Sequence, residues 1–389
     1  MKNEKPLYMK TTFLTKRQYM QKDVIDDCYG RLYEIPNQLA QSGHSVQGIC
    51  LSYRKRVEAI FKSEHTQTDQ VTWYSFNLGY LIIPGLIRYL HAVKSRIETF
   101  KPDILIGSSD CPHVIITVLL AKWLKIPSVV DLYDNYESFG LAKFPGMTQA
   151  YRWAIEQVDG VCCVSEPLAD HIRQTYQHSN VSTLESTINP DGFYPMDARK
   201  CRQQLQLPLS AKLMGVAGSL HRSRGIDLLY RSFIALADSD PELHLVLAGP
   251  VDKSCPIPEH PRIHYLGLLP HDQIVIFYNA LDLAVVCMRD TDFGRFAFPQ
   301  KTYEILACRT PLLTARLGAL QRTLEEYPQC LFEPEDENDL QQKIKHLLAN
   351  PVIINLTIPT WSDQSIKLQS WLQTTIQSQH AELNAASKK

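Results

Sequence analysis

Along the chain, short apolar runs alternate with amphipathic stretches. Tyr8–Thr15, Ser45–Ser52, Asp103–Gly107, Ser128–Asp134, Gly160–Ser165 and Ser182–Ser186 read as strands. Several are apolar throughout, as strands buried on both faces of a parallel sheet are. Cys28–Ser42, closed by Gly43, reads as a helix, as do Pro112–Lys125 and Glu166–Tyr176. Lys16–Asp27 and residues 54–70 are polar and read as loops, whereas Trp73–Phe100 reads as one aromatic-rich helical region. A dense turn cluster, Asn189-Pro190-Asp191-Gly192, marks a linker. The alternation then repeats. Strands are expected at Lys212–Ala217, His244–Ala248, Ile263–Leu266, Leu283–Cys287, Leu312–Ala315 and Cys330–Phe332. Helices are expected at Gly225–Ala237, Gln273–Asn279, from Pro299 onward, at Ala319–Glu326, Asp339–Leu348 and Trp361–Gln377. The pattern predicts an α/β chain of two doubly wound domains, residues 1–190 and 191–360, with a terminal helix and polar tail over 361–389 that returns toward the first domain. Such sheets bind ligands at the carboxyl ends of their strands, so two facing domains would bind across a cleft.

The length of 389 residues agrees with two cores rather than one. A net charge of −1 supplies no dominant basic field, which argues against nucleic acid as a partner. The ten cysteines form no C-x-x-C, and several lie in apolar strand-like runs, as reduced buried thiols do, so a cytoplasmic setting is expected. Met1–Pro6 has no apolar signal core, and no apolar run is long enough to span a bilayer. The stretch 73–101 combines Trp73, Tyr74, Phe76 and Tyr80–Ile83 with Arg88, Lys94, Arg96 and Lys101. It can be read as core or as a weak peripheral contact with the inner face of a membrane.

Several chemistries are excluded by missing motifs. No two of the 17 glycines are two apart, so neither the dinucleotide fingerprint nor a kinase glycine loop exists. There is no G-K-[ST], G-x-S-x-G or H-E-x-x-H. What the chain does carry is a strand-to-helix turn, Gly218-Ser219-Leu220-His221-Arg222-Ser223-Arg224-Gly225, and a second segment, Phe298-Pro299-Gln300-Lys301-Thr302-Tyr303-Glu304. Arg224 offers a planar, permanently charged fork for phosphate. Pro299 suits a first helical position, Lys301 sits in the first turn, and Glu304 lies three residues on. A cation at a helix start is disfavoured unless an anion joins it. A carboxylate one turn deeper can accept both hydrogen bonds of a vicinal diol. Together these fit a nucleoside diphosphate, phosphates at the cap and ribose at Glu304. Asp290-Thr291-Asp292 has the spacing of a metal-binding acidic pair but reads as loop polarity.

These segments resemble the family four retaining glycosyltransferases (group 1), of the GT-B fold. Gly218, Arg224-Gly225-Ile226-Asp227-Leu228-Leu229, Leu247-Ala248-Gly249 and Glu304 through Pro311 follow that family's order and spacing. The resemblance implies two Rossmann-like domains and a retaining transfer of sugar from a nucleotide-sugar donor to a hydroxyl of a carbohydrate or glycolipid acceptor, in glycolipid or surface-polysaccharide synthesis. It implies neither a metal nor a cofactor, the nucleotide sugar being a substrate. Arg224 and Lys301 would be catalytic, with Gly218, Ser219, Gly294, Pro299 and Glu304 completing the donor site. Phe296 stands where many members have a first Glu, so the sugar contacts would fall to backbone N–H groups of Phe293–Phe298. Gly30, Arg31, Asp134, Tyr136 and Glu137 are the acceptor-side candidates, Tyr136 standing where a His is usual. A nucleotide-sugar epimerase of the same architecture and a non-catalytic nucleotide-sugar-binding protein are the alternatives.

Overall fold

The structure, a computed structural model, describes residues 8–19, 22–62, 71–138 and 140–386, with backbone alone for 190 and 382–386. The N-terminal segment Met1–Pro6, part of the expected loop over 54–70, and the last residues of the tail lie outside the described residues. The chain divides into two compact units, Met1–Ser186 with Trp361–Lys389, and Thr187–Thr360.

The first unit contains β1 (Lys10–Lys16), a two-stranded ribbon β2 (Gln18–Tyr19) and β3 (Lys22–Asp23), α1 (Arg31–Gln41), β4 (Ser45–Ser52), β5 (Ile60–Lys62), β6 (Thr72–Asn77), α2 (Ile82–Phe100), β7 (Ile104–Ser108), α3 (Cys111–Leu124), β8 (Ser128–Leu132), α4 (Met147–Gln157), β9 (Gly160–Cys163), α5 (Glu166–Tyr176) and β10 (Val181–Thr183). Its sheet runs β10-β9-β8-β7-β1-β4-β6-β5. All pairs are parallel except β5 with β6. Successive strand residues serve opposite faces, as the two-residue period requires. Phe13, Ile104 and Ile106 join one core with Leu32 and Leu39 of α1, whereas Leu14 and Leu105 join another with Tyr89, Val93 and Ile97 of α2.

The second unit contains α6 (Ala198–Gln204), β11 (Lys212–Ala217), α7 (Ile226–Ala237), β12 (Leu243–Ala248), β13 (Ile263–Tyr265), α8 (His271–Ala280), β14 (Leu283–Val286), α9 (Asp292–Phe296), α10 (Lys301–Ala307), β15 (Leu312–Ala315), α11 (Gly318–Thr323), β16 (Leu331–Phe332) and α12 (Glu337–Ala349). Its parallel sheet runs β13-β12-β11-β14-β15-β16, the 3-2-1-4-5-6 order of the Rossmann fold. The last helix, α13 (Trp361–Ala386), packs on α1 of the first unit. It adds Trp361, Leu368, Leu372 and Ile376 to that core.

Several expectations are corrected, among them the loops over Lys16–Asp27 and 54–70, which hold the short strands β2, β3 and β5. Trp73–Phe100 is not one helix: Thr72–Asn77 is a strand, buried at every second position through Trp73 and Ser75, and Gly79 at φ 75° separates it from α2. The first helix starts at Arg31 rather than Cys28, because Cys28 (φ 47°) and Gly30 (φ 73°) are in left-handed conformations. The helix expected from Pro299 begins at Lys301, with Gln300 as its N-cap. Three helices, α4, α6 and α9, have no counterpart among the expected elements.

Candidate functional site

In the second unit the strand order reverses between β11 and β14, so the loops after these strands flank the switch point where doubly wound sheets take ligands. The backbone there is set by two glycines at adjacent strand ends. Gly218 (φ 119°) follows β11 and Gly249 (φ 127°) follows β12. A Cβ on Gly249 would lie 2.0 Å from the Gly218 carbonyl oxygen. Neither the backbone nor the left-handed φ can accommodate a methyl group, so Gly249→Ala is expected to cost about 3 kcal/mol or more. A urea-unfolding midpoint close to that of the wild type would contradict this close approach.

Beyond Gly218 the chain makes a 3-10 turn, Arg222–Arg224, and Gly225 (φ 78°) hands it to α7. Arg289, which the sequence reading did not single out, holds this turn. Its Nε donates to the Arg222 carbonyl at 2.7 Å, and its Nη2 bonds both Asp227 oxygens at 2.8 and 2.7 Å. Its Nη1 reaches Glu335 at 2.6 Å. No spacing rule signals these partners, which are 46 to 67 positions away in sequence. The Arg224 guanidinium carbon lies 3.6 Å from the centroid of the Phe293 ring, a cation–π contact.

Lys301, on the first turn of α10, reaches back to β11. Its Nζ donates to the Ala217 carbonyl at 2.8 Å, and a Cβ on Gly218 would lie 2.6 Å from that nitrogen. The glycine after β11 therefore makes room for the ammonium. Glu304, one turn deeper, is 8% exposed. Burial pushes its carboxyl up to about 7, against the opposing pull of Lys301 and a hydrogen bond with Tyr278. Burial holds the Lys301 ammonium below its usual range, with Glu304 opposing and Arg224 adding to the shift. Lys301, Glu304 and the Arg224 turn thus share one strand-end site in which positive charge is costly while no anion is bound. Ser219 is exposed beside it and Pro299 lies two residues ahead of α10.

Gly294 serves packing. A Cβ there would meet the Arg289 carbonyl oxygen at 2.0 Å and Leu317 at 2.8 Å. The expected set of sugar-binding N–H groups over Phe293–Phe298 is partly spent on α9 itself. Gly294 N–H is capped by Thr291 Oγ1 at 3.3 Å, Arg295 N–H bonds the Thr291 carbonyl at 2.8 Å, and Ala297 N–H bonds the Phe293 carbonyl at 2.9 Å. Asp290 pairs with Arg295 Nε at 2.5 Å.

The first unit corrects most of its candidates. Arg31 is fully buried, its Nε 2.9 Å from both oxygens of Asp131, its Nη1 donating to the Leu184 carbonyl and its Nη2 near Cys162 Sγ at 3.5 Å. It joins α1 to β8, β9 and the end of β10 and offers nothing to an acceptor. Gly30 is buried under Tyr19, whose ring a Cβ would meet at 2.5 Å. Tyr136 is 2% exposed, its hydroxyl accepting from Ser109 N–H at 3.1 Å and donating to the Asp131 carbonyl at 3.3 Å. Glu137 accepts from Arg152 Nε and the Tyr176 hydroxyl, each at 2.5 Å, and so ties α4 to α5. Asp134 stays half-buried at the end of β8, accepting from Asn135 N–H at 2.8 Å.

A different group occupies this unit's own switch point, between β1 and β7. Asp110 Oδ1 lies 2.6 Å from His113 Nδ1, and the Tyr53 hydroxyl donates to Asp110 Oδ2 at 2.8 Å. Burial pushes the Asp110 carboxyl up, but His113, Lys16 and Tyr53 outweigh it and hold it below its usual range. Asp110 at the end of a strand, with His113 three residues on, was the available signal. A helix N-cap has the same spacing, and Asp110 is also the N-cap of α3, accepting from His113 N–H.

Two units with Rossmann-like parallel sheets, the second with its strand-end cation site, define the GT-B class of architecture. Residues 31–191 match the family described as Glycosyltransferase Family 4, and residues 211–350 match Glycosyl transferases group 1. The chain belongs to the family four, group 1 glycosyltransferases. The sucrose-phosphate synthase of Thermosynechococcus elongatus shares the fold with a TM-score of 0.68 at 16% identity, over 98% of this chain and 100% of that one. Anabaena HepE, solved in complex with UDP, does so with a TM-score of 0.66 at 15% identity, over 97% and 100%. D-inositol 3-phosphate glycosyltransferase 2 of Catenulispora acidiphila is 30% identical over 190 residues, which is 44% of this chain and 43% of that relative, so the match spans less than half of the relative's length.

Proposed function

We propose that the chain transfers a glycosyl group from a nucleoside-diphosphate sugar to a hydroxyl of a carbohydrate or glycolipid acceptor, with retention of anomeric configuration and no divalent metal. The observation that carries this reading is the placement of the Lys301 ammonium against the end of β11, with Glu304 buried one turn deeper. As the bond to the donor diphosphate breaks, negative charge grows on the leaving oxygens. Lys301 and Arg224 supply fixed positive charge for it, the stabilisation that usually contributes most in such sites. This protein-borne charge takes the place of a metal clamp. Glu304 accepts from the ribose diol. The family supports retention, in which the acceptor attacks from the face the diphosphate leaves and its proton passes to the departing phosphate. The acceptor hydroxyl is assigned to Asp110, Tyr53 and Lys16 at the first unit's switch point, in place of the buried Tyr136 and Arg31.

Uridine is the favoured donor base, because HepE, of the same fold, is solved with UDP and with UDP-glucose. A thermal-shift panel of UDP, GDP, ADP and CDP without added metal tests the donor assignment. The cognate diphosphate at 100 times its Kd is expected to add about 2.7 kcal/mol. A melting temperature that no diphosphate raises, or one raised only when Mn²⁺ is present, would overturn it.

A further inference from the structure

Four consecutive apolar side chains project from the first unit. Tyr80 is 98% exposed, Leu81 72%, Ile82 61% and Ile83 72%, and Ile87, one turn on, is 52% exposed. The core does not need them. α2 buries Tyr89, Val93 and Ile97, a single stripe at intervals of four, so its opposite face would ordinarily be polar. At its start that face carries Ile83 and Ile87, and Lys94 continues the same stripe with its Nζ 4.3 Å over the exposed ring of Trp123.

The projection is held in place by its backbone. Gly79 turns the chain out of β6 with φ 75°, and Leu78 N–H bonds the Ser52 carbonyl at 2.8 Å. The Leu78 carbonyl then lies so close to α2 that a Cβ on Gly85 would sit 1.7 Å from it. A contiguous apolar patch held out into solvent in this way marks an interaction surface.

Its rim is basic. The loop Arg54–Arg56 is exposed and tied to the same corner. Asn77 Oδ1 accepts from Arg56 N–H at 3.0 Å, and Asn77 Nδ2 donates to the Arg56 carbonyl at 2.7 Å. No acidic residue occurs from Thr72 to Ile97. Among the described residues, three carboxylates on neighbouring segments are engaged: Glu58 with Arg88 at 2.6 Å, Asp23 with Arg17 at 2.8 Å and Arg56 at 3.3 Å, and Glu98 with Lys94 at 3.6 Å.

We propose that the corner Tyr80–Ile83 with Ile87, rimmed by Arg54, Lys55 and Arg56, docks on an anionic lipid bilayer, its apolar side chains entering the headgroup–acyl boundary and the basic loop meeting the lipid phosphates. The contact is interfacial, since no helix among the described residues is long and apolar enough to cross a membrane. A convex projection suits a fluid phase that deforms around it. A second copy of the chain is disfavoured, because a two-fold contact through this patch would set two basic rims against each other. The inference rests on the proposed transfer only in that a glycolipid acceptor would lie in such a surface. The test reads lipid binding and not activity, so either can fail alone.

The experiment is vesicle cosedimentation of the full chain, with phosphatidylcholine alone and with one-third phosphatidylglycerol. The wild type is expected to sediment with the anionic vesicles and to be released by salt. Arg54→Glu with Lys55→Glu should weaken binding by about 30-fold or more. Leu81→Asp with Ile83→Asp should abolish it, with an unchanged melting curve because both residues are exposed. Wild-type protein left in the supernatant, or equal sedimentation of wild type and the aspartate variant, would overturn the proposal. So would a concentration-dependent dimer that the aspartate variant dissolves, which would assign the face to a second copy.

Discussion

Replacing Lys301 with methionine lowers kcat/KM for the nucleotide-sugar donor by about 10²–10³-fold, as removal of a single oxyanion donor does, and leaves the protein folded. Methionine keeps most of the alkyl stem that crosses from α10 to the end of β11. What is lost is the ammonium, which lies 2.8 Å from the Ala217 carbonyl and is held below its usual pKa range by burial. A charge that its surroundings disfavour contributes little to stability, so the unliganded variant should melt close to the wild type. Glu304 loses the charge that lowers its pKa and becomes neutral at pH 7, so no buried carboxylate is left unpaired. The loss therefore falls on the liganded states. It should appear in kcat as well as KM, because the ammonium meets more negative charge in the transition state than in the bound donor. A variant within threefold of wild-type kcat/KM would show that the ammonium does not face the diphosphate, and the donor site would have to be sought elsewhere.

The fold was legible wherever one local rule sufficed. The parallel strands Ser45–Ser52 and Lys212–Ala217 stand out as apolar runs because both sheet faces are covered. The helices that follow strands stand out where a Gly or Asp marks an end. Trp73–Phe100 misled because two periods meet there: Trp73 and Ser75 alternate inward on β6, while Tyr89, Val93 and Ile97 repeat every four residues on α2. The exposed apolar residues between them fit either pattern. The placement of Gly218, Lys301 and Glu304 at one strand end was legible because they lie within short segments whose geometry is local, a glycine turn and one helical turn. The first-unit candidates were not. Arg31 finds Asp131 100 positions away, and Glu137 finds Tyr176 39 positions away. Their partners come from topology, and a charged residue in a strand-end motif looks the same in sequence whether it faces a ligand or a buried ion pair. Asp110 and His113 carry no distinct sequence signal, because a helix N-cap has the same three-residue spacing without any ligand.

Glu304→Gln is expected to separate donor binding from stability through pH. The folded carboxyl ionises near pH 7, against an ordinary value of 4.5. Only the carboxylate can accept both hydrogen bonds of the ribose diol. The wild-type kcat/KM for donor should therefore fall by about 20-fold between pH 7.5 and 5.5, as the ionised fraction does. The glutamine variant should be weak and flat over the same range. Stability moves the other way. Between 4.5 and 7 the folded state holds a proton that the unfolded chain has released, so the wild type loses stability as pH rises through that window. The raised pKa is equivalent to about 3 kcal/mol. Glutamine cannot ionise, so the wild type should lose stability relative to the variant by roughly that amount between pH 5 and 8. Ligand-free urea unfolding at the two pH values measures it. A difference between the two proteins that does not change with pH would place the Glu304 carboxyl at its ordinary value and remove the cause of the acid limb in donor use. If both effects appear, the unliganded fold is carrying an ionised carboxylate that burial opposes. Hydrogen bonds from the donor's ribose would then offset part of that cost, so that site strain and donor affinity have a common origin.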